Sequence, residues 1–290
     1  MLGVILVIVA LGVVVGPPSA SRQDLGQRLQ PPLSVDPEGQ LHIFGTDHLG
    51  RDVLASTTAG ARSSVLIALA AVAIAGTIGV GVGVTAGFAG GRIDGLLMTL
   101  AEAQLALPFT LIALSLASLA DPSVTHVLVV LGATGWVPYA RVVRSQVLSL
   151  REREFVTAAK GLGGHPVRIA VRHVLPHCTT LIAVLSTFVI GRMIMAEATI
   201  SFLGVGMPAW VPSWGTMISE GRTYLPVAWW VTLIPAGAAT VTVVALTLLG
   251  DSLGEWLEPR GRGRAIRAAG GRGRTGAALS EGARAGEAGG

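Results

Sequence analysis

Charge is scarce in this chain. Only 13% of its 290 residues are Asp, Glu, Lys or Arg, about half of what a soluble domain uses to cover its surface. Lysine is nearly absent, Lys160 being the one example, and aromatic residues are 5% of the chain. A single cysteine, Cys178, excludes an internal disulfide framework and gives no pair for a redox or metal site. HExxH, GxSxG, Walker A and Gly-rich dinucleotide motifs are missing, so the reading is not an enzyme and assigns no cofactor. The six histidines are scattered. His165, His173 and His177 share one stretch, but no carboxylate stands at ligand spacing beside them, which argues against a metal site. A basic excess of 21 over 17 lies mostly between apolar runs and after the last one, without interleaved aromatics; that excludes nucleic acid as a partner and suits anionic lipid headgroups.

Apolar residues dominate instead. They make up 51% of the chain, mean hydropathy is +0.65, and they gather in continuous runs such as VLIALAAVAIAGTIGVGVGV. Crossing about 30 Å of hydrocarbon takes about 20 apolar residues as a helix. Barrel strands would alternate over about ten residues instead. Six segments qualify: Leu2–Val15, Ser64–Phe88, Leu96–Leu119, Val124–Tyr139, Thr180–Leu203 and Ala228–Leu249. The predicted fold class is an all-α polytopic membrane protein with about six transmembrane helices. Leu2–Val15 also fits a signal-peptide core before Ser19-Ala20, without the basic leader such a peptide wants; cleavage there would leave five spans.

With six spans, one side receives fifteen basic residues and the other five, with Arg192 in or near a membrane segment. Positive residues stay inside. Both termini are expected to be cytoplasmic, with 17–62 and 205–227 outside. The predicted organisation is residues 1–43 as the first helix and the start of an outer segment, 44–258 as the core, and 259–290 as a disordered Gly/Ala/Arg-rich tail.

Three membrane-segment charges stand out: Glu102, Arg192 and Glu197. An ionised group in hydrocarbon is costly and usually faces the bundle interior or water. Each is either a pathway residue, a member of a structural ion pair, or an interfacial side chain reaching for the headgroups. The glycines from Gly76 to Gly91 read as a tight helix-packing surface rather than a ligand site.

Between the fourth and fifth segments lies Arg151–Cys178, too polar to span and too patterned to be a linker. Residues 152–162 read as an amphipathic helix carrying Phe155, Ala158, Ala159 and Leu162, ended by Gly161, Gly163 and Gly164. Pro166 opens a second helix with Val167, Ile169, Ala170, Val174 and Leu175, and Pro176 is expected to break or kink the chain. The pattern fits a helix–turn–helix that another protein grips, or an interfacial helix resting on headgroups.

This segment resembles the coupling loop of permease subunits in bacterial ABC importers. The motif positions are Thr157, Ala158, Ala159, Gly163, His173, Leu175 and Pro176; Thr157 stands where Glu is usual and His173 where an apolar residue is usual. Arg172–Pro176, Phe44–Thr57, Ser201–Leu225 and Gly250–Arg260 resemble the dipeptide/oligopeptide/nickel branch in order. The resemblance implies the type I importer permease fold, with Thr157, Ala158, Ala159, Gly163, Leu175 and Pro176 in an ATPase-coupling loop. It implies as partners a second homologous permease subunit, two cytoplasmic ATP-binding subunits and an extracytoplasmic substrate-binding protein. The cargo would be a peptide or a related small solute such as nickel. A secondary transporter or channel without an ATPase is the alternative, and an intramembrane protease would need Ser186 or Ser201 brought together with His126.

Overall fold

A computed structural model describes residues 23–117, 121–208 and 210–257. The segment Leu2–Val15 and the tail 259–290 lie outside the described residues. The chain divides into two compact units, Met1–Asp251 and Ser252–Gly290. The architecture below is that of the first.

Ten α-helices carry the described chain, preceded by a short antiparallel hairpin of β1 (Ser34–Val35) and β2 (Leu41–His42). Helix α1 (Val53–Ala89) begins at Asp52, whose carboxylate accepts the Ala55 N–H at 2.8 Å, and stops at Gly90 with φ +65°. At 37 residues it is about 55 Å long, so it projects beyond the hydrocarbon. Helices α2 (Gly91–Ala106) and α3 (Phe109–Ala117) are bent 91° against each other. Pro108 causes the break: it pushes Leu107 to an extended conformation and offers no N–H. The expected span Leu96–Leu119 is therefore a broken one.

Helix α4 (Val124–Gly135) is capped by Ser123 and runs into α5 (Val137–Leu150) with a junction at Trp136. The fourth span thus continues well past Tyr139, and Arg141 and Arg144 belong to it. Helix α6 (Glu154–Gly161) follows, then α7 (Pro166–Ile169), a π-helical turn Ala170–Val174, and α8 (Leu175–Phe202). The expected break at Pro176 does not occur. The π turn moves the hydrogen-bond register, so that the Leu175 N–H reaches back to the Ala170 carbonyl, and the proline is taken into an unbroken run from Pro166 to Phe202. Helix α9 (Trp214–Gly221), opened by a Ser213–Thr216 capping box, precedes α10 (Trp230–Leu257). Among the described residues four helical runs are long and apolar enough to cross a membrane, or five if the bent α2–α3 pair is one span.

The glycines of α1 set its packing. Gly79, Gly83 and Gly87 lie four apart and face α5: a Cβ would come within 2.5 Å of Tyr139 Cβ at Gly79, 2.9 Å of Val143 Cβ at Gly83 and 2.8 Å of Val147 Cβ at Gly87. Without side chains there, the two backbones close directly, as small residues allow in lipid. Ser64 of α1 meets Glu197 of α8, while Val80 and Val84 of α1 pack against the cluster that holds Val174 and Cys178, so α8 runs antiparallel to α1.

Candidate functional site

The loop between α5 and α8 sits at one end of the bundle. Its first helix, α6, ends in a two-bond glycine cap: the Gly163 N–H bonds the Lys160 carbonyl and the Gly164 N–H bonds the Ala159 carbonyl, each at 3.0 Å. Gly163 takes φ +78°, a conformation that side chains resist. That is the local reason for glycine at this motif position. The reversal folds α7 back, and Ile169 lies where a Gly164 side chain would touch it at 3.1 Å.

The burial pattern inverts part of the sequence expectation. Val156, Ile169, Val174 and Cys178 are buried with Val143, Val147 and Leu150 of α5, with Ala159 half-buried against them. Phe155, Ala158 and Leu162, read as the helix's apolar stripe, point outward instead, and Leu162 is 90% exposed. Val167 and Val171 are also exposed. The loop therefore has an apolar root fixed to the spans and a second apolar face left open. Lys160 lies over the Phe88 ring at 5.2 Å and Phe155 stacks on His177 at 5.3 Å. Arg151 donates to the Gly87 carbonyl at 3.2 Å, tying the loop to the end of α1.

The motif residues separate into two places. Thr157, Ala158, Ala159 and Gly163 lie on α6 and its cap, with Thr157 exposed and its hydroxyl donating to the Arg153 carbonyl at 3.3 Å. Leu175 and Pro176 lie just past the π turn, at the start of α8. Thr157 has no carboxylate to offer, and Glu154, one turn earlier, is the acid nearest in sequence on α6.

The three membrane-segment charges have different environments. Glu197 is completely buried; its carboxylate accepts from Ser201 at 2.8 Å and Ser64 at 3.2 Å. Ser64 in turn accepts from the Trp214 N–H, and Ser201 from the Met207 N–H. Glu197 thus joins α1, α8 and the chain around α9. It forms no ion pair with Arg192, which lies on another face of α8, is exposed and lines a cavity of about 770 Å³. Glu102 is exposed and lies 3.9 Å from Arg141.

That cavity is bounded by the α2–α3 break, α4, α8 and α10, with Gln104, Pro108, Thr134, Arg192, Thr199 and Thr247 among its walls. Gln104 braces it. The Thr134 carbonyl would bond residue 138 in an unbroken helix, but Pro138 has no N–H, and the Gln104 side chain donates to that carbonyl at 2.8 Å. Its own oxygen accepts from Trp136 Nε1 at 2.8 Å. Sequence reasoning missed Gln104, although a proline four residues after a threonine signals an orphan carbonyl. It also missed the Asp94–Arg144 pair, bonded at 2.6 Å through Nη2.

At the opposite end, the segment Phe44–Thr57 builds the support for α1. Asp47 accepts from the Leu49 and Arg51 N–H groups and pairs with the Arg51 guanidinium at 2.6 Å. Arg51 also reaches Glu220 of α9 at 3.2 Å. Gly45, at φ +73°, lets the Trp230 indole approach, and the indole N–H donates to the Thr46 carbonyl at 3.2 Å.

Residues 79–263 match the family of binding-protein-dependent transport system inner membrane components. The chain belongs to this family. It is a permease component of a transport system that works with a binding protein and an ATPase. Among curated relatives, it is 39% identical over 257 residues to the dipeptide transport system permease protein DppC of Bacillus subtilis, covering 88% of this chain and 78% of the relative. It is 35% identical over 261 residues to the oligopeptide transport system permease protein OppC of the same organism, covering 90% and 85%. The di/tripeptide transport system permease protein DppC of Pseudomonas aeruginosa is 33% identical over 246 residues, covering 85% and 81%. The family carries with it an inner-membrane setting, which fits the apolar helices. Among the described residues no cluster of three or more His, Cys, Asp or Glu is arranged to hold a metal ion.

Proposed function

We propose that this permease carries short peptides and docks one ATPase subunit on the segment Arg151–Cys178. The observation that carries the reading is the two-faced loop: its buried root is packed on α5, and its open face presents Phe155, Leu162, Val167 and Val171. Such a face suits a protein partner, because docking needs a rigid shape with a few apolar contacts and a charged rim. Arg153, Lys160, Arg168 and Arg172 supply the rim. In this reading the loop end is cytoplasmic and both termini lie on that side, as the basic residues there favour.

A second homologous permease completes the pathway, two ATPases dock on the pair, and an extracytoplasmic binding protein delivers cargo. Residues 44–258 form the core, preceded by a first span within 1–43 and followed by the basic tail 259–290. The chain does no covalent chemistry; it converts the motion of the ATPases into alternating access. The unbroken run from Pro166 to Phe202 suits this role, since it joins the docking loop directly to the cavity wall and to Glu197. The peptide assignment rests on the names of the relatives.

The test is capture and coupling. Tagged protein, gently solubilised, should bring down a second permease and ATPase subunits. Ala158→Trp, which enlarges the open face without touching the root, should abolish transport-stimulated ATP hydrolysis. Isolation of the chain alone in several mild detergents, or normal coupling in the variant, would overturn the docking role.

A further inference from the structure

The cavity beside the α2–α3 break holds one charge. Arg192 is the only ionisable side chain among its lining residues. The guanidinium is exposed to the cavity, and no hydrogen bond or ion pair joins it to another described residue. Arg192 lies inside the apolar run Pro166–Phe202, and a guanidinium within a membrane span demands water or a counter-charge.

The other polar groups around the cavity do not supply one. Gln104 spends its amide on Thr134 and Trp136. Thr199 and Thr247 donate their hydroxyls to carbonyls of their own helices, Met195 and Val243. Only neutral acceptors remain nearby, and the apolar walls of Phe109, Ile112, Phe188 and Val189 sharpen the field of the single cation. The space is ample for a small hydrated solute: about 770 Å³ equals about 25 water volumes.

We infer that Arg192 is the specificity-determining cation of the pathway, favouring an acidic side chain of the solute over a basic one as it passes the cavity. This rests on the proposed peptide-carrying role and deepens it. A planar guanidinium takes a carboxylate through two parallel hydrogen bonds. It attracts anionic groups without enclosing them, so a carboxylate can enter and leave. Zwitterionic and acidic peptides would be passed, and peptides with an added cation disfavoured.

The experiment uses the whole importer in liposomes, with its binding protein saturated in turn by Ala-Lys, Ala-Ala and Ala-Glu, so that loading does not differ. Wild type, Arg192→Gln and Arg192→Lys are compared by initial uptake. The expected result is that Arg192→Gln slows Ala-Glu about tenfold while Ala-Lys changes less than about twofold, a ratio set by one lost charge contact. Arg192→Lys should fall between. Equal losses for all three peptides would make Arg192 structural and overturn the inference, as would unchanged uptake of all three. Loss of the second permease from the purified Arg192→Gln complex would mean that the cation pairs with that subunit, which also overturns it. A wild-type importer that carries none of the three removes the peptide reading and this inference together.

Discussion

At the scale of single residues, the buried carboxyl group of Glu197 is a polar joint between α1 and α8. It accepts from two serines on different helices, and each serine accepts a backbone N–H in turn. Removing the acceptor leaves buried hydroxyls without partners, at about 1–3 kcal/mol each. Glu197→Ala is therefore expected to lower the thermal stability of the purified complex by several degrees in a melting scan. Glu197→Gln keeps an acceptor oxygen and the volume, and should lose less than half as much. Equal melting of wild type and Glu197→Ala would mean that the joint carries little. The sequence made Glu197 conspicuous but not its partners, because Ser64 is 133 positions away and nothing about a serine in an apolar run announces its acceptor. Arg192 was equally conspicuous, and its separation from Glu197 follows from helix geometry: five residues turn about 140°.

At the scale of elements, long apolar runs were the most legible feature, since hydrophobic length alone sets where helices cross. Of the five expected spans after the first, four correspond to long helical runs and Leu96–Leu119 to the bent α2–α3 pair. What periodicity could not supply was the treatment of prolines. Pro108 breaks its span, whereas Pro176 is absorbed by a π turn and Pro138 by a side chain from another helix. Only the structure shows which neighbour or turn accommodates each proline. Glycines were ambiguous for the same reason: packing and slack look alike in sequence. The structure separates them. Gly83→Ala drives a methyl to 2.9 Å from Val143 Cβ, while Gly81→Ala meets open space. Overpacking costs about 1–3 kcal/mol, whereas alanine in an open helix interior favours folding by about 0.5–1 kcal/mol. Gly83→Ala should reduce membrane yield and melting temperature, and Gly81→Ala should hold or raise both. Identical behaviour of the two variants would show that the α1–α5 contact does not depend on close backbone approach.

At the scale of the whole molecule, the helical run Pro166–Phe202 joins the loop to the cavity wall. The loop residues were legible as a motif, but which face would be open was not, because the stripe at helical spacing and the buried face both contain apolar residues. In the structure Val156 and Ala159 go inward, and Leu162 stays 90% exposed at the tip beside the cap of Gly163. A leucine left in water at the end of a rigid hairpin contributes nothing to this chain's own core, so its removal isolates docking from folding. Burying such a side chain in a partner contributes about 1.5–3 kcal/mol, which corresponds to roughly 10–100-fold in affinity. Leu162→Asp should therefore strip the ATPase subunits during size-exclusion chromatography while the second permease stays bound and the melting temperature is unchanged. Leu41→Asp, an exposed leucine on the hairpin at the opposite end, should keep the ATPases. If Leu162→Asp retained them at wild-type levels, the open face would lie against lipid headgroups instead, and the force on α8 would have to enter through another surface.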